Sequence, residues 1–264
     1  MFESCIKGDC VAIICKFLDP KDILTLLKMY PKIWTKIQRI YVRRIGEKMD
    51  EFFKDTLKEN YEKFKKYMIS SNAMITGSFI LQHALGERWG SKWDCLDIDI
   101  FLAIKPVRCD NFDWRVGKRE GFTFYNPIEK FKLGYKNLHK LLYKIKDKEY
   151  KGNCYVTHSQ YHNEFGENVL LRINEYIIQR RNIFQVVEIN KGKFESWQDF
   201  IDKTVDFDIC KNFFSYMDDG DFILNIGSLE SIIQRKAIFN FFHDHKLSLE
   251  RKEKYEDRGF IFYP

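Results

Sequence analysis

The chain contains no CxxC pair, and none of its seven cysteines stands with histidines at zinc-finger spacing. A structural zinc ribbon or finger is therefore excluded. Cys5, Cys10 and Cys15 recur every five residues, which turns them away from one another around a helix. Free thiols in a reducing compartment are the expectation. No apolar run approaches the length of a membrane span, so no membrane partner is expected. The first residues lack a basic stretch followed by an apolar run and a small-residue cleavage site. A secretory leader is thus not expected, and the reading is a soluble cytoplasmic protein, with the nucleus left open. Internal repeats and low-complexity linkers are also missing. Nor is there a strong excess of charge: 44 basic against 38 acidic residues leave +6. Such a balance suits a nucleotide or nucleic-acid partner without demanding one, since a lysine-rich surface gives the same total.

What the sequence has is aromatic mass. Of 264 residues 45% are hydrophobic, and 24 Phe and 14 Tyr allow a sizeable core in one large domain or a medium one with a small companion. Residues 9–46 read as short helices. Val11, Ile14, Phe17 and Leu18 fall at helical spacing, and Asp19-Pro20 breaks the helix and starts the next. Ile23, Leu24, Leu26 and Leu27 continue the stripe, and Pro31 interrupts it before Trp34. This run resembles an F-box helical module. The resemblance implies an apolar face for a partner helix and a ubiquitin-ligase adaptor as partner through residues 9–46. The residues also allow a helical bundle packed on its own chain, since Ile14, Leu24 and Trp34 would serve either purpose. The expected division is a helical module over 1–48 and a main domain over 49–264.

Residues 50–70 predict a charged amphipathic helix. From 72 onward strands and helices mix, which predicts an α+β fold with a mixed sheet. "AMIT", "LDIDIFLAI", "NVLLRINEYII", "IFQVVEI" and "TVDFDIC" read as strands; "SFILQHALGE", "SWQDFIDK" and "SLESIIQRKAIFNFF" read as helices. The charged C-terminal helix is expected to turn at Gly259 into a short strand. Residues 106–165, with one helix around "IEKFKLGYKNLHKLLYKI", read as an insertion or lid.

Strand periodicity then points to chemistry. In "LDIDIF", Asp97 and Asp99 share one face and Leu96, Ile98 and Ile100 the other. Two carboxylates on one strand face cannot both stay charged in a dry core without a cation or water. At this spacing they suit Mg²⁺ (or Mn²⁺), whose octahedron substrate phosphates complete. Before them, Gly77 and Ser78 lie between a strand and a helix, where free N–H groups and a hydroxyl bind phosphate. In "TVDFDICK", Asp206 and Asp208 again alternate with apolar residues, and either can serve as a third ligand for a two-metal site.

In this order the elements resemble the nucleotidyltransferase superfold, the polymerase-beta-like group. More narrowly, "TGSFILQHALGERW…DIDIF", "RRNIFQVVEI", "VDFDICKNFF" and "RKEKYEDRGF" look like a group of proteins found in large DNA viruses and some fungi, some with an F-box-like N-terminus. The resemblance implies a mixed-sheet nucleotidyltransferase domain of viral type that uses ATP or another nucleoside triphosphate (NTP). Asp97, Asp99 and Asp206 would be the metal ligands and Asp208 the alternative third carboxylate. Gly77 and Ser78 would hold phosphates, with Lys211 and Lys236 as further phosphate contacts. The interval from Gly77 to Asp97 is longer than the family's, through "RWGSKWDC", so an added loop borders the site.

The expected activity is Mg²⁺-dependent transfer of a nucleoside monophosphate from an NTP to a hydroxyl of a protein, nucleotide or RNA. The alternative, from another class, is an inactive transferase-like interaction protein whose helical N-terminus recruits ubiquitin-ligase machinery. Arg235 is a further candidate phosphate contact. His243 and His245 lack a third metal ligand, and His158 and His162 have i,i+4 spacing but lie in the polar insertion without a helical apolar pattern; the basic run "KNLHKLLYKIKDK" fits either an RNA contact or a solvated helix face.

Overall fold

The computed structural model describes residues 8–15, 17–30, 34–89, 96–104, 129–147, 154–155, 170–179, 182–190, 194–239 and 245–263. Helices α1 (Gly8–Cys15), α2 (Pro20–Met29) and α3 (Trp34–Leu57) open the chain. In α3, Ile37, Tyr41, Ile45, Met49 and Phe53 recur every four residues and form one fully buried stripe. A 3₁₀ turn (Lys58–Asn60) leads into α4 (Tyr61–Ser70), where Phe64 and Met68 extend that stripe.

Strand β1 (Met74–Thr76), helix α5 (Ser78–Leu85) and strand β2 (Leu96–Ile104) follow, then helix α6 (Glu129–Ile145) and strands β3 (Cys154–Tyr155), β4 (Leu170–Ile178) and β5 (Asn182–Asn190). Helix α7 (Trp197–Thr204) leads to a 3₁₀ turn (Asp208–Cys210) and the hairpin β6 (Asn212–Tyr216) and β7 (Phe222–Ile226). Helix α8 (Leu229–Gln234), strand β8 (Lys236–Ile238), helix α9 (His245–Glu256) and strand β9 (Ile261–Tyr263) complete the described chain. The first seven strands form one sheet in the order β3-β4-β5-β2-β1-β6-β7, and β8 pairs with β9 apart from it. Strands β2 and β5 are parallel and their neighbours antiparallel, so the class is α+β with a mixed sheet, as expected.

The two faces of this sheet are covered differently. Ile98, Ile100, Leu102, Phe184, Val186 and Phe214 lie in one core with α3, α4 and α5. Phe53 stands at its centre, its ring centroid 5.3 Å from Phe64, 5.5 Å from Phe79 and 6.3 Å from both Phe184 and Phe214. The opposite face carries a smaller cluster, where Met74, Val187 and Ile189 meet Phe200 and Ile201 of α7.

Three expectations change. The boundary at residue 48 falls inside the continuous helix α3, and Ile23, Leu24 and Leu27 of α2 belong to the same core as the sheet. The N-terminal helices and the sheet therefore share one hydrophobic interior. The helix expected over "SLESIIQRKAIFNFF" stops at Gln234, because Arg235 adopts a left-handed φ of 53° and β8 pairs with β9. Most of the expected insertion lies outside the described residues. Its α6, however, packs on α4 and buries Leu138, Leu141 and Leu142, so this part belongs to the core.

A chain starting at residue 49 is expected to be insoluble or to lack a cooperative melt by circular dichroism. A soluble fragment with a sharp transition would make the N-terminal helices a separate unit. A pH dependence also follows from His83 on α5, whose ring packs 4.4 Å from Phe79 and whose Nδ1 lies 2.8 Å from the Phe79 carbonyl. Burial holds its pKa down to about 4, against the pull of that hydrogen bond. The unfolded chain then binds the extra proton first. The stability this neutral ring allows is present above its ordinary value of 6.5 and is lost as pH falls toward 4. Thermal melts should show a smaller acid-side loss in His83→Gln than in the parent.

Candidate active site

Residue alternation on β2 puts Asp97, Asp99 and Phe101 on the face away from the aromatic core. Register places Thr76 of β1 on one side of Asp99 and Gln185 of β5 on the other. Immediately after Thr76, Gly77 takes φ +85°, a conformation that L side chains rarely adopt. A Cβ there would stand 3.0 Å from Asp99 Oδ2, so any other residue would be strained and would press on the carboxylate. Helix α5 begins at Ser78, and its first N–H groups have no helical acceptor. The Thr76 hydroxyl donates to the Asn212 carbonyl and ties β1 to β6 beneath the turn.

A cavity of about 300 Å³ opens above this point. Its polar wall includes Gly77, Ser78, Asp99, Gln185, Arg251 and Lys254. Phe101, Val187, Ile189 and Phe200 form an apolar wall, which suits a ligand with both an anionic and a flat apolar part. Burial, reinforced by the neighbouring charge of Asp97, pushes the Asp99 carboxyl up to about 6, and Arg251 and Lys254 pull the other way. Burial also raises Asp97, with Lys254 and Arg258 opposing. Lys254 itself is lowered, first by desolvation and then by the charge of Arg258, while both aspartates favour its charged form.

The other acidic pair is placed differently from expectation. "TVDFDIC" is a turn and a 3₁₀ segment, because α7 runs to Thr204 and the chain then coils through Asp208–Cys210. Its apolar residues alternate, but Phe207 meets the rings of Phe239, Tyr255 and Phe262 in place of a sheet face. Asp206 is buried and takes the Arg251 guanidinium, with Nη1 2.8 Å from Oδ1 and 2.9 Å from Oδ2. Asp208 Oδ1 accepts the Ile238 N–H at 2.7 Å. Neither joins Asp97 and Asp99: among the described residues no group of three or more His, Cys, Asp or Glu side chains could hold a metal ion.

The proposed lysines also lie elsewhere. Lys211 donates to the Asp202 carbonyl at 3.4 Å, and Lys236 sits on β8 with its ammonium 5.9 Å from the Tyr263 ring. Arg235 pairs with Glu87 and donates to the carbonyl of Arg258. His158, His162 and His243 lie outside the described residues, as do residues 90–95 of the lengthened loop. On α6, Lys136, Lys140 and Lys144 face solvent at four-residue spacing opposite buried leucines, the pattern of a solvated helix face.

Residues that sequence reasoning left unassigned border the aspartates instead. Gln185 stands beside Asp99 in the parallel strand and donates to Glu175 Oε1 at 3.0 Å. Burial raises the Glu175 carboxyl, and the charge of Asp97 adds to the effect. Both are polar interruptions in apolar strands, a signal that was available. Arg251 and Lys254 sit three residues apart on α9, so their common face was readable from the helical reading of "RKEKYEDRGF", while Arg258 lies in the turn beyond Glu256.

No protein-family model, curated protein or solved structure matches this chain. Replacing Gly77 by Ala should destabilise the protein by about 1–3 kcal/mol, the range for a strained backbone conformation. Denaturant titration measures this, and a Gly77→Ala protein of parental stability would show that the turn tolerates a side chain.

Proposed function

We propose that the chain is a nucleotidyltransferase that moves a nucleoside monophosphate from an NTP to a hydroxyl acceptor. The order strand, Gly77-Ser78, helix, then a strand with Asp97 and Asp99 supports this reading and the corresponding fold. The observation that carries it is the approach of the Asp99 carboxylate to the Gly77 turn at the wall of one cavity. A phosphate held by the start of α5 would lie beside the paired carboxylates.

Asp97 and Asp99 fit the hard-oxygen preference of Mg²⁺ or Mn²⁺, with phosphate oxygens and water completing the coordination. Bound there, the ion would neutralise charge developing on the transferring phosphate. Ser78 and the N–H groups at the start of α5 would orient the triphosphate for in-line attack. The acceptor oxygen forms a new bond to the α-phosphorus, the α–β bridging P–O bond breaks, and pyrophosphate leaves. Asp206 is engaged by Arg251, so the hydroxyl proton passes to solvent in this scheme and the second dedicated metal lacks its third carboxylate.

One observation favours a second reading, a protein that docks to others through its N-terminus. Ile13, Ile14, Phe17 and Met29 are 52–82% exposed on and beside α1 and α2. Recruitment of a ubiquitin-ligase adaptor by these helices belongs to that reading.

The test is incubation with each labelled NTP and Mg²⁺ or Mn²⁺. An Asp97→Asn, Asp99→Asn double variant should lose metal-dependent transfer by about a hundredfold or more, the scale expected when electrostatic stabilisation of the transition state is removed. Its melting temperature above pH 6 should rise, because Asp99 has a raised folded-state value and its ionised form opposes folding. That gain should shrink as pH falls below 6. Parental transfer by the double variant would reject the mechanism.

A further inference from the structure

We infer that Arg251 and Lys254, with the nearby charge of Arg258, form a clamp for a linear polyphosphate, the β- and γ-phosphates of a nucleotide when one is bound. The nucleotide identity rests on the transfer reading; the polyphosphate site rests on its own geometry.

Each cation is held by a different part of the fold. Arg251 is gripped from beneath by the buried carboxylate of Asp206 and lines the cavity. Lys254 lines the same cavity and lies in the field of both Asp97 and Asp99. The Arg258 guanidinium stacks 4.4 Å from the Trp89 ring centroid and 5.4 Å from that of Tyr255. Its carbonyl is fixed by Arg235, which Glu87 holds in turn. The buried ring of Tyr255 anchors the segment between them in the core.

The arrangement leaves positive charge poorly compensated. Arg258 Nη1 is enclosed with no hydrogen-bond acceptor among the described residues, a costly state for a guanidinium N–H. Lys254 and Arg258 repel one another, and desolvation weighs on both. Their present counter-charges are the carboxylates proposed to bind metal. A divalent ion on Asp97 and Asp99 would withdraw that compensation, and an anion beside the ion would restore it. A polyphosphate meets both needs, since guanidinium groups pair with phosphate through parallel N–H bonds and an ammonium acts as a point charge.

The experiment is calorimetric titration of the full chain with sodium tripolyphosphate, with the same Mg²⁺ concentration in cell and syringe. The parent should bind, and Lys254→Gln should weaken binding about tenfold, as should Arg258→Gln. Lys252→Gln, on the same helix with its ammonium 3.5 Å from Glu256, should bind as the parent does. Among the described residues Lys254 makes no ion pair or hydrogen bond, so its variant should retain a cooperative melt. The double variant Arg251→Gln, Asp206→Asn tests Arg251 without stranding a buried charge. Titration with adenosine should not distinguish Lys254→Gln from the parent, which separates the phosphates from the base. Equal binding by Lys254→Gln and Lys252→Gln overturns the clamp, as does a parent that fails to bind. Lys254-dependent binding without any transfer of labelled NTP would reject the transfer reading and leave the clamp. Transfer with unaltered tripolyphosphate affinity in Lys254→Gln would reject the clamp alone.

Discussion

The incompatible solvation demands of the two faces of β2 govern the rest of the architecture. Ile98 and Ile100 require a dry covering, while Asp97 and Asp99, one residue out of phase, require cations or water. The dry side is met by α3, α4 and α5, whose Phe53, Phe64 and Phe79 interlock with Phe184 and Phe214. A stripe running the length of α3 makes the N-terminal helices part of that covering, so they cannot be removed without stripping the sheet. The polar side stays partly open, and the cavity lies there.

On the polar side, the carboxylates are held close to glycine backbone and opposite a cationic segment. Gly77 permits the approach because it has no Cβ, and α9 compensates the charge through Lys254 with Arg251 and Arg258 nearby. Asp206 belongs to this second tier. Its carboxylate fixes the direction of Arg251, which makes it a positioning residue for the cationic wall. The apolar wall of Phe101, Val187, Ile189 and Phe200 then completes a site with an anionic end and an apolar end.

Much of this was legible in the sequence. Period-two alternation identified β2, β4 and β5, and the Gly-Ser pair between apolar segments identified the β1–α5 turn. Alternation misled at "TVDFDIC". Phe207 and Ile209 are as buried as strand residues, but their cover comes from rings and helices around a 3₁₀ turn. Periodicity reports burial, and burial can be met by more than one backbone path. The hairpin β6–β7 went unassigned although Asp219-Gly220 stands at its turn, a local signal of the usual kind.

The sequence by itself determined which residues had to be dry, which could not be, and where the chain had to turn. Those follow from side-chain chemistry and local sterics, which act over a few residues. Tertiary structure alone decided the partners: Gln185 beside Asp99, Arg251 on Asp206, and Lys254 facing a carboxylate pair about 150 positions earlier. Electrostatic compensation acts through space and is indifferent to chain separation. The pairing of charges was therefore settled only when the sheet and α9 came together.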